Sequence, residues 1–141
     1  MPAASAVETW ERLVRFHRTA TRAMDENLRA RCGHSLDDYD VLHQISAHVS
    51  PIRMGELAER LLVANSSCNR IVARLVEAGL VNRVQGKPDR REVLVDLTPA
   101  GRRLHRRMAA IHTRDIERLF GSRLRNADRT HIESSLRRLL P

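Results

Sequence analysis

A chain of 141 residues supports one domain, or two small lobes sharing a core. Hydrophobic residues make up 42% of it, too many for a disordered chain. Aromatics are only 3%, which argues against single-strand or RNA recognition through stacking platforms. The net charge of +8 and a pI near 11.2 favour a polyanionic partner. Lys87 is the only lysine, so the excess is arginine, a bias that a GC-rich genome also produces. The charge by itself therefore does not identify DNA.

No run approaches the roughly 18–20 apolar residues of a membrane span. The start, Met-Pro-Ala-Ala-Ser-Ala, lacks the basic and apolar regions of a signal peptide. Cys32 and Cys68 stand far apart with no CxxC, so a disulfide framework is not expected and a reducing cytoplasm fits. No HExxH, GxSxG, P-loop or GxGxxG pattern occurs, and Asp37-Asp38 reads as helix-start charge. We expect no enzyme, no cofactor and no metal site.

In chain order, residues 6–31 carry a helical stripe at Val7, Trp10, Leu13, Val14, His17, Ala20, Met24 and Leu28, ended by Cys32-Gly33. Ser35-Leu36-Asp37-Asp38 resembles a capping box and opens a helix with Tyr39, Leu42 and Ile45 on one side. Ser50-Pro51 breaks it, and Ile52-Arg53-Met54 is long enough only for a strand stub. Gly55 opens a short helix with Leu57, Ala58, Leu61 and Leu62 on its apolar side. A turn at Val63-Ala64 leads into a helix over 65–78. Its inner face is Cys68, Ile71, Val72, Leu75 and Val76, and its outer face is Asn65, Ser66, Ser67, Asn69, Arg70, Ala73 and Arg74.

Residues 81–84 and 92–97 read as a hairpin whose tip is Gln85-Gly86-Lys87-Pro88-Asp89-Arg90-Arg91. Thr98-Pro99 starts a long helix reaching about Phe120, with Leu104, Met108, Ile111, Ile116 and Leu119. Gly121 stops it, and a last helix spans roughly 127–140 with Ile132, Leu136, Leu139 and Leu140. The fold expected is mainly α with a small β-hairpin wing: a winged helix-turn-helix lobe over 35–98, flanked by helices at 6–32 and 99–140 within a single domain, 1–141. The flanking helices carry apolar faces too large for so small a chain. A second copy is the simplest cover, giving a two-fold dimer on a pseudo-palindromic duplex.

Order and motif together resemble the MarR family of bacterial transcriptional regulators over nearly the whole chain. The family's wing signature, D-x-R, five residues, then L-T, is met by Asp89-Arg90-Arg91 and Leu97-Thr98. Leu57-Ala58-Glu59-Arg60-Leu61 resembles the family's third helix. Arg70-Ile71-Val72-Ala73-Arg74-Leu75, ending in Glu77-Ala78-Gly79-Leu80-Val81, resembles its recognition helix. One departure is Ala64, where the family usually has a capping Ser; Asn65 or Ser66 is then the expected cap.

The resemblance implies a sequence-specific regulator of double-stranded DNA, a homodimeric and ligand-responsive repressor in the cytoplasm. The alternative is a constitutive DNA-binding or protein-interaction winged helix without an effector. Ser66, Ser67, Asn69, Arg70 and Arg74 can reach base edges or phosphates, Asn suiting adenine and Arg guanine, with Asn65 on the same face. At the wing, Arg90 or Arg91 can enter the minor groove, with Arg91 favoured by the family pattern. Asp89 is expected to hold an arginine in place, and Lys87 and Arg53 to meet phosphates. The family often binds small aromatic or phenolic effectors between its dimer helices and DNA lobe, which selects Trp10, His17, Tyr39, Asp40 and His43. Zinc-sensing relatives use positions near Cys32, His43, His105 and His112, but His105 and His112 lie two turns apart instead of at i, i+4.

The wing reading yields a test by sign. Arg91→Ala should weaken duplex binding and lower the salt slope by about one or two contacts per dimer. Asp89→Ala adds net positive charge, so charge counting expects tighter binding; an orienting Asp89 requires weaker binding. Equilibrium titration of the two variants reads the sign, and weaker binding by Asp89→Ala is the expected result.

Overall fold

Ser5 starts the first helix by a reciprocal capping box: its Oγ accepts from the Glu8 N–H at 3.1 Å, and Glu8 takes the Ser5 N–H at 3.0 Å. The computed structural model describes residues 3–49, 51–86 and 91–140. Within them α1 (Ala6–Cys32), α2 (Leu36–Ala47), β1 (Ile52–Arg53), α3 (Met54–Leu61), α4 (Asn65–Glu77), β2 (Val81–Gln85), β3 (Val93–Leu97), α5 (Pro99–Leu119) and α6 (Asn126–Leu139) follow in order, with one 3-10 turn at Gly121–Arg123. The architecture is mainly α with a small antiparallel sheet, as the sequence patterning leads one to expect. No described helix is long and apolar enough to cross a membrane.

The wing is broader than a hairpin. β1 pairs antiparallel with β3 through Ile52↔Val95 and Arg53↔Leu94, giving the order β1-β3-β2. The two-residue stub at Ile52 thus becomes a third strand, because Ile52 and Val95 are both fully buried on the core side. β2 and β3 pair from Val81↔Leu97 to Gln85↔Val93, and the Gly86 N–H donates to the Glu92 carbonyl at 2.7 Å.

The core forms where α2 meets its neighbours. Val41, Leu42 and Ile45 of α2 are buried with Leu28 of α1, Leu57 of α3, Val72 and Leu75 of α4, Val95 of β3 and Met108 of α5. Fully burying each such side chain contributes roughly 1.5–3 kcal/mol. α2 begins at Ser35, whose Oγ accepts from the Asp38 N–H at 3.0 Å. The Asp38 carboxylate turns to His34 and Arg74.

α3 ends differently from the sequence expectation. Leu62 adopts a left-handed conformation, φ 55°, and is 89% exposed instead of joining the apolar face. The reason is the turn: the Leu62 N–H donates to Glu59 and the Val63 N–H to Ala58, closing α3 and swinging Leu62 outward. A bulky residue there is strained by about 1–2 kcal/mol. The helix-turn-helix crossing therefore takes the place of a hydrophobic contact.

A knot at Thr98 joins the end of the α4 segment to α5. Gly79, φ 74°, closes the helix, and its carbonyl accepts the Thr98 hydroxyl at 2.7 Å. The same hydroxyl accepts from the Gly101 N–H at 3.0 Å, and the Thr98 N–H donates to the Leu80 carbonyl at 3.0 Å. A Cβ at position 101 would run into that Leu80 carbonyl oxygen. Gly101→Ala should therefore destabilise the fold by about 1–3 kcal/mol, although alanine is ordinarily the better helix former. Urea unfolding measures the change, and an unchanged midpoint would contradict the close approach.

Candidate nucleic-acid interface

α4 presents a divided surface. Cys68, Val72 and Leu75 are buried, whereas Asn65, Ser66, Asn69, Arg70, Ala73 and Arg74 are exposed and Ser67 is half-buried. The division follows the 3.6-residue period of its sequence. Ala64 is the N-cap and supplies no side-chain hydrogen bond; the helix starts at Asn65 without either expected substitute cap. Its first N–H groups are thus left without a side-chain acceptor.

The arginines of this face differ in their settings. Arg70 Nη2 donates to the Ser67 hydroxyl at 3.3 Å, and Arg70 lines an open groove of about 700 Å³ between the start of α2 and α4. Arg74 donates to Oδ1 of Asp38, a residue only 6% exposed, while His34 Nδ1 lies 3.1 Å from Oδ2. The sequence offered Arg74 as a DNA contact; in the folded chain it is engaged by its own protein.

Asn69 and Arg91 come together although the sequence separates them. Both line a second groove of about 660 Å³ with Arg53, Glu56, Glu59 and Glu92. Arg53 Nη1 lies 3.4 Å from the Glu92 carboxylate, so part of its charge is used to hold β1 against the wing. Lys87, Asp89 and Arg90, expected at the wing tip, lie outside the described residues.

The five expected effector residues separate within one chain. Trp10 and His17 are exposed on α1, and Trp10 lies among α1 residues alone. Asp40 opens on the α2–α4 groove with Arg70, its carboxyl raised above the ordinary range first by desolvation and then by Asp37. Tyr39 and His43 do meet, with two histidines that the sequence raised only in connection with zinc. The Tyr39 ring lies 5.5 Å from His43, 5.9 Å from His105 and 4.7 Å from His112, and His43 Nδ1 is 3.2 Å from His105 Nε2. Nδ1 of His112 is buried without a hydrogen-bond partner among the described residues. No group of three residues fit to hold a metal ion occurs among the described residues. The signal for this cluster was weak: positions 105 and 112 share a face of α5, but only the packing of α5 on α2 brings them to Tyr39.

Cys68 is buried, and burial pushes its thiol up, opposing the acidifying effect of a nearby helix start.

The sequence model of the MarR family matches residues 33–92. An uncharacterised HTH-type transcriptional regulator of Bacillus subtilis, YhjH, is 29% identical over 99 residues, 70% of this chain. The match spans 56% of that relative's length. The crystal structure of AbsC, a MarR family transcriptional regulator from Streptomyces coelicolor, superposes with a TM-score of 0.88 at 25% identity, covering 99% of this chain and 95% of AbsC. A mutant MarR from E. coli complexed with operator DNA superposes at 0.83 with 26% identity, covering 96% of each chain.

The histidine cluster makes stability depend on pH. Desolvation lowers the His105 pKa, helped by His43 and Arg106. Desolvation also lowers that of His112, with Asp115 opposing and His43 helping. The facing groups from α2 are Tyr39 and His43. The folded chain resists protons that the unfolded chain accepts, so stability is full above the ordinary histidine value of 6.5 and declines as pH falls through it. Thermal melts from about pH 7.5 to about pH 5.5 should show this decline, and it should be smaller in a His105→Phe, His112→Phe variant. Equal pH dependence in the two proteins would contradict the assignment.

Proposed function

We propose that the chain is a winged helix-turn-helix transcriptional regulator of the MarR type, which its match to that family over residues 33–92 supports, and that it binds a pseudo-palindromic duplex as a homodimer. The observation that carries the reading is the divided α4: a buried apolar side and an exposed side of Asn65, Ser66, Asn69 and Arg70. Such a helix fits the major groove, where Asn and Arg suit adenine and guanine edges. Asn69 and Arg91 line one groove, which supports a continuous contact from recognition helix to wing. In this proposal Lys87 meets a phosphate, Arg91, with Arg90 as the alternative, is directed to the minor groove, and Asp89 holds an arginine in place without touching DNA.

The dimer reading is supported by apolar surface left uncovered. Val7, Trp10, Leu13 and Phe16 of α1 and Ile116, Leu136, Leu139 and Leu140 toward the C-terminus are all exposed. α6 contributes no buried residue at all. A second copy pairing 6–32 and 99–140 would cover these faces and impose two-fold symmetry on the DNA site. Occupation of that site by the dimer in the cytoplasm gives repression. A small aromatic or phenolic effector completes the proposal, its site centred on Tyr39 and His43, with Asp40 at the neighbouring groove. Trp10 and His17 lie apart from that centre within one chain.

Light scattering at micromolar concentration should give twice the 16.1 kDa chain mass, and a Leu13→Glu, Leu136→Glu variant should return the single-chain mass. Gel shifts on the DNA upstream of the protein's own gene should show a salt-dependent complex with the parent protein. The variant should bind the same duplex far more weakly. A single-chain mass for the parent, or equal binding by both, would overturn the dimer reading.

A further inference from the structure

We propose that Arg74 is a positioning residue of α4, held by Asp38 to set the angle of the recognition face, and not itself a DNA contact. The inference rests on the DNA-binding reading above. Arg74 lies on the outward side of α4, and its side chain is 60% exposed, which makes it look available. Its partner decides otherwise. The Asp38 side chain is only 9% exposed and its two oxygens are divided, one to Arg74 and one to His34. Taking Arg74 away to a phosphate would leave a buried carboxylate with His34 alone, and breaking one side of a buried pair is costly.

The contact is one link in a polar connection running from α1 to α4. Asp25 of α1 receives Arg29 Nε at 2.8 Å on one oxygen and the Leu36 N–H at 2.8 Å on the other. That fixes the start of α2. The Asp38 N–H donates to Ser35 Oγ in the same turn, and the Asp38 carboxylate then grips α4. Among the described residues no carboxylate pairs with Arg70, one turn earlier on α4, which stays beside an open groove. Two arginines one turn apart thus do different work: Arg70 faces outward to the duplex, and Arg74 ties the helix to the α1–α2 corner.

The test uses the full-length protein and a duplex selected by the parent protein from a random library, titrated at several salt concentrations beside a scrambled duplex. Arg74→Gln and Asp38→Asn should each weaken binding to the selected duplex about tenfold and leave the scrambled duplex within about twofold. Neither should change the salt slope, and the double variant should bind no worse than the weaker single one. Arg70→Ala, in contrast, should lower the slope by about one or two per dimer. The inference is overturned if Arg74→Gln lowers the slope as Arg70→Ala does, or if Asp38→Asn leaves binding unchanged or tighter, as charge counting requires. Should Asp38→Asn fail to fold, the slope of Arg74→Gln, at an exposed position, decides alone. A parent protein that selects no duplex overturns the DNA-binding reading and this inference with it; the slope and sign results overturn this inference only.

Discussion

The packing of α2 governs the rest of the molecule. This twelve-residue helix touches α1, α3, α4, α5 and β3. Tyr39, Val41, Leu42 and Ile45 are its buried residues, together with Asp38. A helix covered on so many sides cannot turn without opening voids in a close-packed interior. Its two polar ends of contact are consequently fixed as well. Asp38 meets α4 through Arg74, and Tyr39 and His43 meet α5 through His105 and His112. The same short helix thus carries the contacts to both α5 and α4. Thr98 adds a second tie, joining α5 to the end of the α4 segment at Gly79.

Local chemistry made much of this readable before folding. Ser35 and Thr98 cap the helices that their positions announce, and Gly33 and Gly79 close two of them, whereas the Ser5 cap of α1 was not read. The period of α4 separated its buried Cys68, Val72 and Leu75 from its exposed polar side. The elements that escaped are those whose partner is distant in sequence. For β1 the strand stub was legible, but its pairing with Val95 was not. Phe16, omitted from the α1 stripe, packs 5.9 Å from the Phe120 ring. Arg74 and Asp38 are 36 residues apart, and His43 and His105 are 62 apart. Leu62 escaped for the opposite reason: a backbone turn overrode the apolar pattern. Periodicity also names a face without naming what covers it. Val7, Trp10 and Leu13 lie on the same helix as buried Met24 and Leu28, yet stay exposed.

The positive charge is likewise less uniform than composition suggests. Arg74, Arg118, Arg102 and Arg53 are engaged by Asp38, Asp115, Asp96 and Glu92. Asp115 is a buried case: Arg118 Nη2 and Asn27 Nδ2 each donate to it at 2.9 Å, stitching α1 to α5. The pairs exposed on both sides, Arg102–Asp96 and Arg53–Glu92, contribute little to stability, about 0–1 kcal/mol. Their larger effect is to decide which cations remain for a polyanion. An arginine count therefore overstates the charge available to a polyanion.

In the proposed two-fold complex the exposed side of α4 enters a major groove twice. Dimethyl sulfate protection on a duplex selected by the parent protein reads this directly, since the reagent reports guanine N7 in the major groove and adenine N3 in the minor groove. Two patches of protected guanine N7 are expected on one face of the duplex, about one helical turn apart, with protected adenine N3 flanking them where the wing reaches the minor groove. Specific binding with every guanine N7 still reactive, or with a single unrepeated patch, would contradict it.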